Sequence, residues 1–315
     1  MTTSNSKTDT SQEGHTAAQK SIEPTLFRDL IMLAKPRIIT LLVITCLAAM
    51  FVATRGNLDL ISTALVFWTC AGLALSAAGA NMVNMWYDGD IDALMTRTRK
   101  RPVPQGRMAG KTVLLLGIVL GVVAFALLWL SVNLLTALMA AAGYLFYVFI
   151  YTMLLKRRTV QNIVIGGAAG AFPPLVGWAA VQNSVSEPTA WLLFAVIFFW
   201  TPPHFWALAL YKCADYTKAG VPMLPVVRGE RETKLQILYY LLILIPITLG
   251  LGLFEPAFGG IYLITACVLG AVWFYKAIKL WQEEGAARAP DVFKFSLYYL
   301  AVLFLAMAVD TFFLL

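Results

Sequence analysis

The chain has 315 residues, of which 60% are hydrophobic and only 13% charged, and its mean hydropathy is +0.75. A water-soluble domain is nearer half apolar and a quarter charged, so this balance excludes disorder, a disulfide scaffold and a soluble enzyme. The formal charge of +7 invites a nucleic-acid partner, but the basic residues are placed to orient a membrane protein, which excludes that reading.

Residues 1–27 are rich in Ser, Thr, Gln and Lys and have no apolar core, so they predict a disordered polar tail and not a secretory signal. They hold no Arg and three acidic residues, which argues against a mitochondrial transit peptide and leaves a bacterial inner membrane as the expected location. Residues 28–315 predict one all-α membrane domain. Apolar runs of about twenty residues, the length that crosses a bilayer as a helix, predict nine transmembrane helices. They fall at 37–54, 61–84, 113–131, 134–153, 162–181, 190–210, 236–254, 258–278 and 295–314. Of the 24 basic residues, all but Arg55 lie before the first span or in and beside alternate connections. That distribution predicts a cytoplasmic N-terminus and a periplasmic C-terminus. Cys46, Cys70, Cys213 and Cys267 are scattered and read as small apolar residues without a redox or metal role.

Three connections are long: 88–112, 211–235 and 279–294. The two with unusual residues follow spans 2 and 6, four helices apart, which predicts two four-helix halves plus a ninth helix around a central cavity. Glycines at four-residue spacing in span 3 (Gly117, Gly121) and span 5 (Gly166, Gly170) predict close helix contacts. Pro173, Pro174 and Pro246 predict kinks that widen the cavity. Asp310, near the outer end of span 9, predicts interfacial solvation or a helix partner.

The chemistry concentrates after span 2. Asn84, Asp88 and Asp92 stand at i, i+4 and i+8, so on a regular helix successive groups differ by about 40° and share one face, with Asp90 opposite. An Asp near the hydrocarbon costs roughly 2.5–3.5 kcal/mol, and two like charges one turn apart repel unless a cation sits among them. Oxygen ligands of this kind suit Mg2+, which binds substrate phosphates through one or two carboxylates. Arg97, Arg99, Lys100, Arg101, Arg107 and Lys111 follow, a cationic rim of the kind a diphosphate needs, although Lys100, Arg107 and Lys111 read equally as topogenic charges.

The stretch Asn84-x-x-x-Asp88-x-x-x-Asp92, followed by Met95-x-Arg97-Thr98-x-x-Arg101-Pro102, resembles the first aspartate-rich motif of the intramembrane aromatic prenyltransferase superfamily. Three further stretches resemble its haem-farnesylating branch, the protoheme farnesyltransferases. These are Tyr151-Thr-x-x-Leu-Lys156-Arg157-x-Thr159-x-x-Asn162, Thr201-Pro-Pro-His204-Phe-Trp206 and Asp215-Tyr216-x-x-Ala219-Gly220-x-Pro222-Met-Leu-Pro225-Val. The resemblance covers about residues 28–310. It departs at the second motif, where the superfamily carries two aspartates four apart and this chain has Tyr211 and Asp215.

The resemblance implies farnesyl diphosphate as donor and protoheme IX as acceptor, within the lipid bilayer. It implies Mg2+ held by Asn84, Asp88, Asp92 and Asp215, the last directly, through water or by orienting a basic residue. Arg97, Arg101, Lys156 and Arg157 are then the candidates for diphosphate oxygens. Tyr147 and Tyr151 either shield an allylic cation or simply pack the helix. His204, the one histidine outside the tail, is either a hydrogen-bonded structural residue or a haem ligand. A downstream haem-modifying enzyme or terminal oxidase is the expected taker of the product.

Three rivals carry different expectations. A prenyltransferase for another aromatic or tetrapyrrole acceptor would lack the stretch 201–225. A phosphatidyl-alcohol transferase would follow Asp88-Gly89 with Ala-Arg, which is missing, and would have an acid where Asn84 stands. An ion-coupled transporter would place its carboxylates mid-span, accessible from both sides, and not crowd them beside a basic rim.

Overall fold

A backbone in hydrocarbon must satisfy its polar groups internally, and a helix does so within one segment. The computed structural model, which describes residue 2 and residues 26–256 and 258–313, is accordingly helical, with no strand among the described residues. Its helices are α1 (Leu26–Ala34), α2 (Pro36–Thr54), α3 (Thr63–Tyr87), α4 (Gly89–Leu94), α5 (Gly110–Ser131) and α6 (Leu134–Leu145). A π-helical segment, Phe146–Leu155, continues α6. Then follow α7 (Asn162–Gly166), α8 (Ala168–Gln182), α9 (Pro188–Tyr211), α10 (Cys213–Lys218), α11 (Leu224–Phe254), α12 (Gly260–Gln282) and α13 (Ala289–Phe313). Nine segments among the described residues are long and apolar enough to cross a membrane. Apart from residues 2, 26 and 27, the tail expected over 1–27 lies outside the described residues.

Local chemistry sets the helix starts. Ser62 caps α3 by accepting from Leu65 N (3.1 Å), and Asn133 caps α6 by accepting from Thr136 N (2.8 Å). Two elements escaped hydropathy. The first is α1, nine residues long and too short to span, which buries Asp29 and Leu33. The second is the start of α11, twelve residues before the predicted 236. Residues 228–234 are too polar to read as a span, yet Glu230 and Lys234 pair at i,i+4 (2.6 Å) and carry the helix outward. α11 breaks at Gly229 (φ 82°, ψ 174°), away from Pro246, whereas α7 passes into α8 through Gly167 with helical dihedrals (φ −58°, ψ −25°).

The nine spans form a closed ring in chain order: each touches the next, and α13 returns to α2. Across the ring α2 packs on α8 and α13 on α9, so α8 and α9 are the most buried spans and α5 and α6 the least. These contacts describe one ring of spans and draw no boundary between the two four-helix halves expected from sequence. Gly117 and Gly79 face each other where α3 meets α5; a Cβ on Gly117 would lie 2.9 Å from Gly79 O. Gly166 yields its space to the Tyr151 ring, whereas Gly170 meets nothing within 4 Å and makes no close contact. Asp310 is buried, and its Oδ2 accepts from Gly259 N (2.6 Å) and Tyr262 N (2.9 Å). It caps α12 from a neighbouring helix, the helix partner anticipated, and is not solvated at an interface.

Candidate active site

The acidic stretch is not one regular helix. α3 ends at Tyr87, Asp88 takes φ −89° and ψ 6°, and α4 begins at Gly89. Even so, Asp88 N donates to Asn84 O (2.9 Å) and Asp92 N to Asp88 O (2.8 Å), so the four-residue spacing survives the break. Asn84, Asp88 and Asp92 stay aligned and buried, both aspartates at 0% exposure. Asp90 points away and is exposed, as the spacing predicts.

Each of the three buried side chains meets a basic nitrogen at 3.0 Å or less, and Asp88 has a second one farther off. Lys156 Nζ lies 2.5 Å from Asp88 Oδ2, and Arg101 Nη1 lies 2.5 Å from Asp92 Oδ2. Lys35 Nζ donates to Asn84 Oδ1 (3.0 Å). Asn84 Nδ2 in turn donates to Asp88 Oδ2 (2.7 Å) and Thr152 Oγ1 (3.1 Å), which fixes the amide orientation. Burial, then the like charges of Arg101 and Lys156, push the Lys35 pKa well below the usual ammonium value, while Asp92 and Asp88 pull it partly back. The site is thus crowded with cations, and an anion would relieve it.

Lys156 reaches Asp88 because the chain before it is π-helical: Lys156 N donates to Tyr151 O (2.9 Å), an i→i+5 bond. The same segment stacks Tyr147 on Tyr151 (centroids 5.4 Å, 28°). Tyr147 has Asp88, Asp92, Arg97 and Arg101 among its electrostatic neighbours. Tyr151 packs against a cluster that includes Ile91, Met95, Ile163 and Tyr216. Two aromatic faces therefore border the charged end of the site, one toward each acidic connection.

Arg157, expected among the diphosphate ligands, is otherwise engaged. It grips Asp90 through two nitrogens (2.6 and 2.7 Å), donates to Tyr87 O (2.8 Å) and lies over the Tyr87 ring, with Asp88 Oδ1 at 3.6 Å. The side-chain hydrogen bond from Arg157 lowers the Asp90 pKa, and Asp90 raises that of Arg157. Arg107, read as a rim charge, instead anchors α1: its Nε and Nη2 reach buried Asp29 at 3.0 and 2.8 Å. Lys100 and Lys111 are exposed.

Asp215 sits on α10 and accepts from Thr96 N (3.3 Å), joining the two acidic connections. Desolvation raises its pKa, but the Thr96 hydrogen bonds and the charges of Lys212 and Arg97 outweigh it, for a net lowering. Arg97 is exposed and hydrogen-bonds the Tyr216 side chain next to Asp215. Asp215 thus faces a backbone N–H of the first connection, and among the described residues no three His, Cys, Asp or Glu side chains gather to hold a metal. The set Asn84, Asp88, Asp92 and Asp215 is not assembled as a single cluster.

The narrower set fits a hard cation by another observation. Asp88 Oδ1 and Asp92 Oδ1 are both buried without a hydrogen-bond partner, a costly state for a carboxylate oxygen. Two carboxylates are also what Mg2+ requires when substrate phosphates supply its other ligands.

His204 lies deeper on α9, buried between Trp200 (stacked, 4.2 Å) and Phe293 (4.7 Å). Its Nδ1 is 2.6 Å from Ser296 Oγ. Ser296 donates its only hydroxyl proton to Phe293 O (2.6 Å), so Nδ1 must be the donor and Nε2 carries the lone pair. That tautomer, held by the hydrogen bond His204 donates to Ser296 on α13, leaves Nε2 able to ligate a metal. Sequence reasoning missed Lys35, Asp29, Thr152 and Ser296. Only Lys35, a lysine just before the Pro that opens the first span, left a visible signal.

The UbiA prenyltransferase family matches residues 42–308. A protein named protoheme IX farnesyltransferase from Symbiobacterium thermophilum is 54% identical over 289 residues, covering 90% of this chain and 94% of the relative. One of the same name from Roseiflexus sp. strain RS-1 is 50% identical over 288 residues; the match covers 91% of this chain but only 53% of that longer protein. A UbiA homolog from Archaeoglobus fulgidus, solved bound to DMAPP and Mg2+, superposes with a TM-score of 0.68 at 15% identity over 91% of this chain and all of its own. At that identity the likeness is one of fold.

Proposed function

The chain belongs to the UbiA prenyltransferase family, and with that as premise we propose that it farnesylates protoheme IX to give haem O. The observation that carries the reading is the row Asn84, Asp88 and Asp92, buried at one end of the ring and met by Lys35, Lys156 and Arg101. In the reaction the C–O bond of farnesyl diphosphate breaks, and diphosphate leaves with the electron pair. The π electrons of a haem vinyl group form the new C–C bond. Water adds at the resulting cationic carbon and loses a proton, leaving a hydroxyl. No protein nucleophile is needed, so the residues act by binding and by charge.

Asn84, Asp88 and Asp92 would hold Mg2+, with Asp215 a bridge between connections; the ion's chemistry is to neutralise the diphosphate oxygens. Lys156 and Arg101 turn from their carboxylates to the diphosphate, and Arg97 joins them from the loop. Tyr147 and Tyr151 shield the allylic cation with their ring faces. His204 positions the haem through Nε2. The basic residues on alternate connections support an inner-membrane protein with cytoplasmic N-terminus and periplasmic C-terminus, its charged mouth on the cytoplasmic side. A haem-modifying enzyme or terminal oxidase is the partner that fits the product.

The test is incubation of purified protein with haem, farnesyl diphosphate and Mg2+, followed by mass spectrometry of the extracted haem. A gain of one farnesyl group plus water is expected. Farnesyl transfer to another acceptor in preference to haem, or ion transport without a covalent product, would overturn the reading.

A further inference from the structure

The three oxygen-bearing side chains meet three nitrogens from separate parts of the chain, and the three pairs are not alike. Lys156 and Arg101 each meet a carboxylate. Lys35 meets the neutral amide of Asn84, and among the described residues no carboxylate lies within ion-pair distance of its ammonium. Its backbone is left-handed (φ 58°, ψ 61°), a conformation that a residue with a Cβ rarely adopts. The turn is held from both sides: Pro36 opens α2 directly after it, and Asn81 Nδ2 donates to Ala34 O (3.0 Å) directly before it. A strained turn thus carries a cation to the oxygen of a neutral side chain, where Asp88 and Asp92 act on its charge but neither forms an ion pair with it.

We propose that Lys35 is a diphosphate-binding residue: its ammonium rests on Asn84 Oδ1 in the free protein and moves to a diphosphate oxygen when the Asn84, Asp88 and Asp92 oxygens turn to a divalent cation. The inference rests on the reading of those three side chains as metal ligands. An ammonium and a divalent cation repel at one amide oxygen, so Lys35 must vacate it, whereas Lys156 and Arg101 stand on the Oδ2 atoms and can turn to the diphosphate while Oδ1 of Asp88 and of Asp92 meets the cation. The freed N–H groups then need an acceptor, and the diphosphate that arrives with the cation supplies it. Divalent cation alone therefore binds against three resident cations, whereas cation and diphosphate together bind with the charges balanced. The two ligands are coupled, and Lys35 carries part of that coupling.

The experiment titrates full-length purified protein with Mn2+ by electron paramagnetic resonance, with and without inorganic diphosphate, for wild type, Lys35→Gln, Lys35→Gly and Lys35→Arg. In wild type, diphosphate should tighten Mn2+ binding about tenfold or more. In Lys35→Gln, Mn2+ alone should bind about threefold tighter, because a resident cation is gone, while the tightening by diphosphate falls about tenfold, the loss of one charge-assisted hydrogen bond. Lys35→Gly, which favours the left-handed turn, should match Lys35→Gln, and Lys35→Arg should restore most of the coupling. These opposite signs separate the proposal from misfolding, which would weaken both measurements, and Lys35→Gly decides should Lys35→Gln fold poorly. Wild-type behaviour in both Gln and Gly variants overturns the proposal and leaves Lys35 as a turn residue. Absence of Mn2+ binding or of coupling in wild type overturns the underlying metal–diphosphate reading instead.

Discussion

The connections after α3 and after α9 meet at the same end of the ring but treat their aspartates differently. Asp88 and Asp92 are wholly buried, each held at 2.5 Å by a cation and each left with one oxygen that accepts no hydrogen bond. Asp215 is half-buried and accepts a backbone N–H at 3.3 Å. A carboxylate without water must find positive charge, whereas one in contact with solvent has no such need. The first connection therefore gathers cations around its carboxylates, and the second meets it through Thr96 and Asp215.

Replacing Asp88 or Asp92 with Ala should have the largest effect. Turnover should fall by about a thousandfold or more at every Mg2+ concentration, because the charge that organises the diphosphate is gone. Near-normal turnover in a steady-state assay of either variant would erase the distinction between the two connections. On the α9 side, His204→Ala should weaken haem binding about tenfold or more while leaving farnesyl diphosphate binding intact. Absorbance titration with haem and a separate equilibrium assay for the diphosphate read the two arms. Unchanged haem affinity would leave His204 as a packing residue bonded to Ser296.

Asp215→Asn keeps an acceptor for Thr96 N, so turnover should change by about threefold or less. A loss as deep as that of Asp88→Ala would make Asp215 a metal ligand in its own right and put the two connections on a par. The smallest effect belongs to Asp90, the exposed member of the first connection. Arg157 holds its pKa below the ordinary 3.8, so its contribution is complete above that value and is lost as pH falls through the lowered one. Asp90→Asn should lower the thermal midpoint by about 1 °C at neutral pH, since the pair is solvent-screened, and the gap to wild type should close below about pH 3.8. A gap that stays constant to lower pH would place the effect elsewhere than in the Asp90–Arg157 pair.

Legibility in the sequence followed the range of the interaction. The spans were readable because hydropathy over about twenty residues is a local property, and the row Asn84, Asp88, Asp92 because four-residue spacing is too. The structure differs where hydropathy is blind or distant chain decides. The polar start of α11 carries its own Glu230–Lys234 pair, and Lys234 also donates to Glu283 O (2.8 Å) and Gly285 O (2.7 Å), and hydropathy registers neither. Arg107 and Arg157 bond Asp29 and Asp90, residues 78 and 67 positions away, partners that their place in the basic rim does not announce. For Asp310 the sequence leaves interfacial solvation and a helix partner open, and the cap on α12 decides for the second. No pattern in one segment reveals which of several arginines a buried carboxylate will take.

By itself the sequence determined that this is an all-helical membrane chain with one cluster of acids beside a basic rim. Apolar run length and side-chain spacing are set by neighbours in the chain, and both survive folding. Only the tertiary structure decided which cation stands on which oxygen, that the spans close into a ring, that Ser296 fixes the His204 tautomer and that Lys35 belongs to the site. Those outcomes depend on burial, since taking a charge out of water forces a choice of partner that the linear order leaves open.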